Sequence, residues 1–111
     1  TGNILASTYL WTSDARLKNI ESKSEGLAAL DNINGYKFNW KSDGKSDYGV
    51  IAQEVEQQFP ELVITQPDGV KTVNYLGLIA PLIESIHELK AEQIKLKKEI
   101  EYLKKSQKKH K

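Results

Sequence analysis

The sequence predicts an α+β fold in which small β-hairpins and short helices precede a long C-terminal helix, and three observations carry that prediction. Apolar residues alternate with polar ones through Tyr36, Phe38 and Trp40; two pairs of β-forming runs flank glycine-containing turns; and from Ile79 onward apolar residues recur at alternating spacings of three and four. The first two imply short strands with one buried face, and the third implies a helix with a narrow apolar seam.

Residues 1–12 carry no charge and are rich in β-formers, with no helical period. They read as the last strand of an upstream body. Charge begins at Asp14. Ser13 followed by Asp14, Ala15, Arg16 and Leu17 has the form of a helix start, with Ser13 as cap and an acid in the first turn, and predicts a short helix near 14–20. Leu27, Leu30 and Ile33, between Gly26 and Asn34-Gly35, predict a second short helix closed by a left-handed glycine.

Tyr36 to Lys41 then reads as a strand whose hairpin mate is Tyr48 to Ile51, joined by the polar loop 42–47. A helix from Ala52 to Phe59 stops ahead of Pro60, because proline disfavours helical geometry in the residue before it. Leu62 to Thr65 and Val70 to Val73 flank Gln66-Pro67-Asp68-Gly69 and form a second hairpin.

One long helix follows Asn74. Ile79, Ile86, Gln93 and Ile100 occupy a positions, and Leu82, Leu89, Leu96 and Leu103 occupy d positions, over about 37 Å at 1.5 Å per residue. Glu92 and Glu99 fall at g, with Lys90, Lys97 and Lys104 at e. Parallel, in-register chains therefore pair Glu92 with Lys97 and Glu99 with Lys104 of a neighbour. Ile at a with Leu at d favours a dimer, and Gln93 is a register-setting polar residue, so the periodicity admits dimer or trimer. A core helix in a monomer has no need of recurring complementary e/g charges. Pro81 predicts a kink or a helix start, since it cannot bond to the carbonyl of Gly77. The domain division is 1–12 as passenger end, 13–78 as head, and 79–111 as coiled coil with a basic tail.

Composition narrows the chemistry. The 111 residues are 39% apolar and 28% charged, with a net charge of +1 and no cysteine. A monomer of this size buries only about two-thirds of its unfolded surface. Near-neutral charge leaves no overall field for nucleic acid or anionic membrane, and the lysines after 103 suit a helix C-terminus. The absence of cysteine excludes disulfides and thiolate metal sites. No apolar run approaches a membrane span of roughly 20 residues. No Gly-rich phosphate loop is present, so no cofactor is expected. His87 and His110 lack partners at metal-ligand spacing, so no metal is expected. Glu54 and Glu56, two apart on a helix, face different directions and read as a solvated face.

Ser13 and Lys18 remain. A neutral lysine can act as general base for a serine hydroxyl. Five residues on an α-helix differ by about 140°, so the two side chains do not share a face there, whereas Asp14 and Lys18 form an ordinary i,i+4 pair. From spacing alone a cap and a surface pair are favoured over a dyad. A dyad requires Ser13 to stand before the helix, or Lys18 to come from a neighbouring chain.

Ser13-Asp14-Ala15-Arg16-Leu17-Lys18, with Tyr36-Lys37-Phe38-Asn39-Trp40, Tyr48-Gly49-Val50-Ile51-Ala52-Gln53-Glu54-Val55 and Pro60-Glu61-Leu62-Val63, resembles the C-terminal intramolecular chaperone of phage tailspikes, tail fibres and neck appendages, the endosialidase-type self-cleaving domain. The resemblance runs from residue 13 to about 90; the rest resembles only a generic coiled coil. It implies a homotrimer that folds an upstream β-structure of the same polypeptide and then releases itself by cutting Thr12-Ser13. In that scheme Ser13 is nucleophile and Lys18 base in a single-turnover serine peptidase, with Asp14 and Arg16 as possible orienting residues. Backbone N–H groups at the start of the 14–20 helix are the expected oxyanion donors. The implied setting is the host cytoplasm during virion assembly, with loss of the domain from the mature tail protein. The alternative is a non-catalytic structural trimerisation module. A third reading is a DNA-linked regulator, since related domains occur in a self-cleaving eukaryotic transcription factor.

Overall fold

The computed structural model describes residues 10–109. Most of the expected passenger end, and His110 with Lys111 of the tail, lie outside the described residues. The architecture is α+β, with two separate antiparallel strand pairs, short helices between and before them, and a 31-residue C-terminal helix.

The first element corrects the sequence expectation. In place of a helix over 14–20 there is a single 3-10 turn, Ala15–Leu17, capped by Asp14 and not by Ser13. Leu17 and Ile20 are 73% and 77% exposed. With no apolar face to bury, so short a helix has nothing to offset its nucleation cost. Residues 18–26 hold no regular structure.

Helix α1, Leu27–Leu30, packs on the C-terminal helix. Its start is held from outside, since Leu27 N donates to the Glu88 carboxylate at 3.0 Å. It ends at Asp31, and Gly35 is not the left-handed closure that the sequence suggested. Positive φ among the described residues occurs at Gly44 and Gly69, both in hairpin turns.

Strands β1 (Tyr36–Asn39) and β2 (Ser46–Gly49) pair with Tyr36 opposite Gly49 and Phe38 opposite Asp47. The mate begins two residues earlier than expected. Gly44, at φ 74°, lets the loop close tightly, with Gly44 N donating to Trp40 O at 2.7 Å and Trp40 N to Lys45 O at 2.9 Å. Ile51 is then used as the cap of α2, Ala52–Gln58, instead of in the strand. That helix stops before Pro60 as the proline dictates, with Phe59 already out of helical geometry. A 3-10 turn, Pro60–Leu62, leads into β3 (Val63–Thr65), which pairs with β4 (Lys71–Val73) around a turn finished by Gly69 at φ 88°.

Asn74 caps the 3-10 turn Tyr75–Leu78, and α3 runs from Ile79 to Lys109. Pro81 marks a helix start: in the first turn its missing N–H removes no intrahelical bond.

Val55 is fully buried at the centre of the core with Ala29, Phe59 and Leu78, ringed by Leu30, Ile33, Val50, Leu62, Val63 and Val73. This core is small for the chain. A compact monomer of 12.5 kDa exposes about 6,200 Å² by size scaling. Here 10057 Å² is exposed, and the radius of gyration is 20.8 Å against the roughly 13 Å of a globule of this length. Part of the exposed surface lies on α3, where the apolar a and d residues from Ile79 to Leu103 are about half exposed or more.

Candidate functional site

The turn at the N-terminal end of the described chain brings together what a regular helix keeps apart. Lys18 Nζ donates to Ser13 Oγ at 2.7 Å within one chain. Ser13 stands ahead of the capped 3-10 turn and Lys18 follows it in extended geometry at φ −122°, ψ 138°, so the two residues are not held at the angular spacing of an α-helix and their side chains can meet.

Asp14 supplies the cap. Its Oδ1 accepts from Arg16 N at 2.9 Å, and its carboxylate also takes Arg16 Nη2 at 2.9 Å and Nε at 3.2 Å. The Arg16 guanidinium and then the Arg16 N–H hold the Asp14 carboxyl below its usual range, and the same pairing raises Arg16. The surface pair expected between Asp14 and Lys18 is replaced by this Asp14–Arg16 pair. The expected oxyanion donors also need correction. Arg16 N is bound to Asp14 Oδ1, Leu17 N to Asp14 O at 3.0 Å, and Lys18 N to Ala15 O at 3.1 Å, so those three N–H groups are taken up by the turn itself.

Thr12, Ser13, Asp14, Arg16 and Lys18 are all exposed in the single chain. A serine hydroxyl beside an amine at this distance is arranged for proton transfer in either direction, and the adjoining Thr12-Ser13 peptide is open to solvent. Among the described residues no group of acidic, histidine or cysteine side chains is arranged to hold a metal. His87 instead sits 3.2 Å from Glu84, one turn away on α3.

Two carboxylates that sequence reasoning assigned to a solvated face have tertiary partners. Glu54 accepts from Tyr36 Oη at 2.7 Å, from Asn34 N at 3.1 Å and from Asn34 Nδ2 at 3.3 Å, tying α2 to the base of β1. Tyr36 foremost, then the Asn34 backbone, hold the Glu54 carboxyl below its usual range, while Glu54 raises the Tyr36 hydroxyl. Glu56 pairs with Lys71 at 3.0 Å, joining α2 to β4. The sequence separations of 18 and 15 residues leave no periodic signal by which these partners could be found.

Among the described residues no helix is long and apolar enough to cross a membrane. Comparison with known proteins matches residues 13–64 to the family described as chaperone of endosialidase. The long tail fiber protein Gp37 of Salmonella phage S16 is 35% identical over 105 residues, covering 84% of this chain but only 14% of that protein. The matched segment opens at Ser13 itself and takes in the Lys18 contact, both first-hairpin strands and α2, so over residues 13–64 the chain is similar to the chaperone-of-endosialidase family.

Proposed function

We propose that this chain is the C-terminal intramolecular chaperone of a phage fibre, spike or appendage protein, acting as a parallel homotrimer and releasing itself by autoproteolysis at Thr12-Ser13. The single observation that carries the peptidase assignment is the 2.7 Å contact between Lys18 Nζ and Ser13 Oγ. Neutral Lys18 takes the Ser13 hydroxyl proton as Oγ attacks the Thr12 carbonyl carbon. The peptide C–N bond then breaks, the proton passes to the departing Ser13 nitrogen, and water hydrolyses the resulting ester to a Thr12 carboxylate and a free Ser13 hydroxyl.

Parallel association rests on α3, and the choice of three chains on the resemblance to the chaperone family. The half-exposed a/d seam of α3 is the kind of surface that a coiled coil covers, and Glu92, Glu99, Lys97 and Lys104 have the signs that parallel pairing needs. In this reading residues 1–12 are the end of the passenger, 13–78 the head, and 79–111 the coiled coil with its basic tail. Holding three chain ends together raises the effective concentration for an intertwined β-fold, whose non-local contacts form slowly. Cutting afterwards leaves the passenger kinetically trapped. The reaction belongs to virion assembly in the host cytoplasm, and the domain is absent from the finished fibre. The similarity to a tail fibre protein supports this setting.

Intact mass measurement of the purified wild type beside Ser13→Ala tests the proposal. The wild type is expected to lose residues 1–12 and Ser13→Ala to remain at 12.5 kDa. Equal masses would leave a non-catalytic trimerisation module as the function.

A further inference from the structure

Two cations stand within reach of the Asp14 carboxylate: Arg16 two residues on and Lys18 four residues on. At i,i+4 on a helix surface the lysine is the ordinary partner. Here the carboxylate is occupied on both oxygens by Arg16, through Nε at 3.2 Å to each and Nη2 at 2.9 Å to Oδ2, while Oδ1 also caps Arg16 N. Lys18 is turned the other way, onto Ser13. No residue of the Ala15–Leu17 turn is buried, so core packing does not fix the direction of the lysine.

We infer that Arg16 is a positioning residue of the Ser13–Lys18 pair: by clamping the Asp14 carboxylate, it leaves Lys18 free to reach Ser13. Asp14 is needed as the cap, because a turn of three exposed residues has little else to hold it. Once unclamped, the same carboxylate competes for the lysine. An Asp14–Lys18 ion pair would draw the amine away from Ser13 and favour its charged form, which cannot accept the hydroxyl proton. Arginine suits the clamping role because its planar fork meets both carboxylate oxygens at once, as a lysine ammonium does not.

The catalytic consequence rests on the autoproteolysis proposed above, whereas the positioning itself can be read without it. The full chain is compared as wild type, as Arg16→Gln, and as Asp14→Asn/Arg16→Gln. Glutamine removes the cation, and asparagine keeps a capping oxygen without the negative charge. Cutting by Arg16→Gln is expected to slow at least about tenfold, part of the roughly 10²–10⁴-fold that a fully positioned base contributes. The double variant is expected to recover most of that loss, because nothing then draws Lys18 aside. Were the effect of Arg16 simply to stabilise the turn, removing its partner as well would bring no recovery. A double variant as slow as Arg16→Gln overturns the inference.

The second readout is the set of nuclear Overhauser contacts from the Lys18 Hε protons. They are expected to reach Ser13 Hβ in the wild type, Asp14 Hβ in Arg16→Gln, and Ser13 Hβ again in the double variant. If the wild type is never cut, autoproteolysis fails and these contacts still decide the role of Arg16. Lys18 contacts to Ser13 that persist unchanged in Arg16→Gln overturn it. If the wild type cuts and the double variant does not recover, the positioning role fails and autoproteolysis stands.

Discussion

Lys18 Nζ meets Ser13 Oγ at 2.7 Å across five positions of one chain, although those positions diverge on an α-helix. A one-turn 3-10 segment followed by an extended residue makes the meeting, so no lysine from a neighbouring chain is needed to complete the pair.

Cutting should therefore be strictly internal to each chain. When Ser13→Ala and Lys18→Ala chains are co-expressed and their mixed oligomers purified, mass spectrometry should find every chain at full length. A shortened Lys18→Ala chain would show that a neighbour's lysine can serve. Lys18→Arg should also be inert, by about 10²–10⁴-fold, because a guanidinium does not give up its proton to become a base.

Glu54 gives the junction of α2 and β1 an acid-sensitive joint. Hydrogen bonds from Tyr36 and Asn34 place its folded pKa below the ordinary 4.5. Their stabilisation is thus fully present above pH 4.5 and is lost as the pH falls through the lower, folded value. Thermal melts of Glu54→Gln should show a lower Tm near neutrality and a shallower fall on acidification than the wild type. Parallel curves would mean that Glu54 contributes nothing to acid lability.

Gly26 and Glu88 act as one contact. A Cβ at residue 26 would collide with the Glu88 carboxylate, which caps α1 at Leu27 N. Glu88→Ala should cost about 1 kcal/mol, the usual loss of a cap. Gly26→Ala displaces the same carboxylate and should cost a similar amount, and the double variant should cost little more than either alone. Full additivity in chemical denaturation would separate the two residues.

Leu96 lies at the d position in the middle of the α3 seam and is 49% exposed in the single chain. Leu96→Asp buries a charge only if the chains associate, so it should dissociate the oligomer and leave the head folded. In the uncut Ser13→Ala background, light scattering should give about three times 12.5 kDa for the parent and about one chain mass once Leu96→Asp is added. Equal masses for the two would place the association elsewhere.

Much of the fold was legible because it follows from local rules. The alternation at Tyr36, Phe38 and Trp40 marked β1, Pro60 marked the end of α2, Gly69 closed the second hairpin, and Pro81 marked the start of α3. The errors were also local in origin. Ser13 and Asp14 are both good caps, and composition cannot choose between neighbours; the structure uses Asp14. The mate of β1 began early because Gly44 permits a tight closure that loop length alone did not reveal. Glu54 and Glu56 looked solvated because helix spacing reports which residues share a face, not what packs against that face.

The order of elements, the a/d seam with its e/g charges, and the residue types from which a dyad can be built are all legible in the chain before it folds. Those properties depend on period, capping and side-chain chemistry, which act over a few residues. That the Ala15–Leu17 segment forms a 3-10 turn and not an α-helix, that Asp14 takes Arg16, and that Lys18 is left for Ser13 emerges only in the folded chain. Helix type in so short a segment depends on whether a buried face is available, and exposed Leu17 and Ile20 provide none.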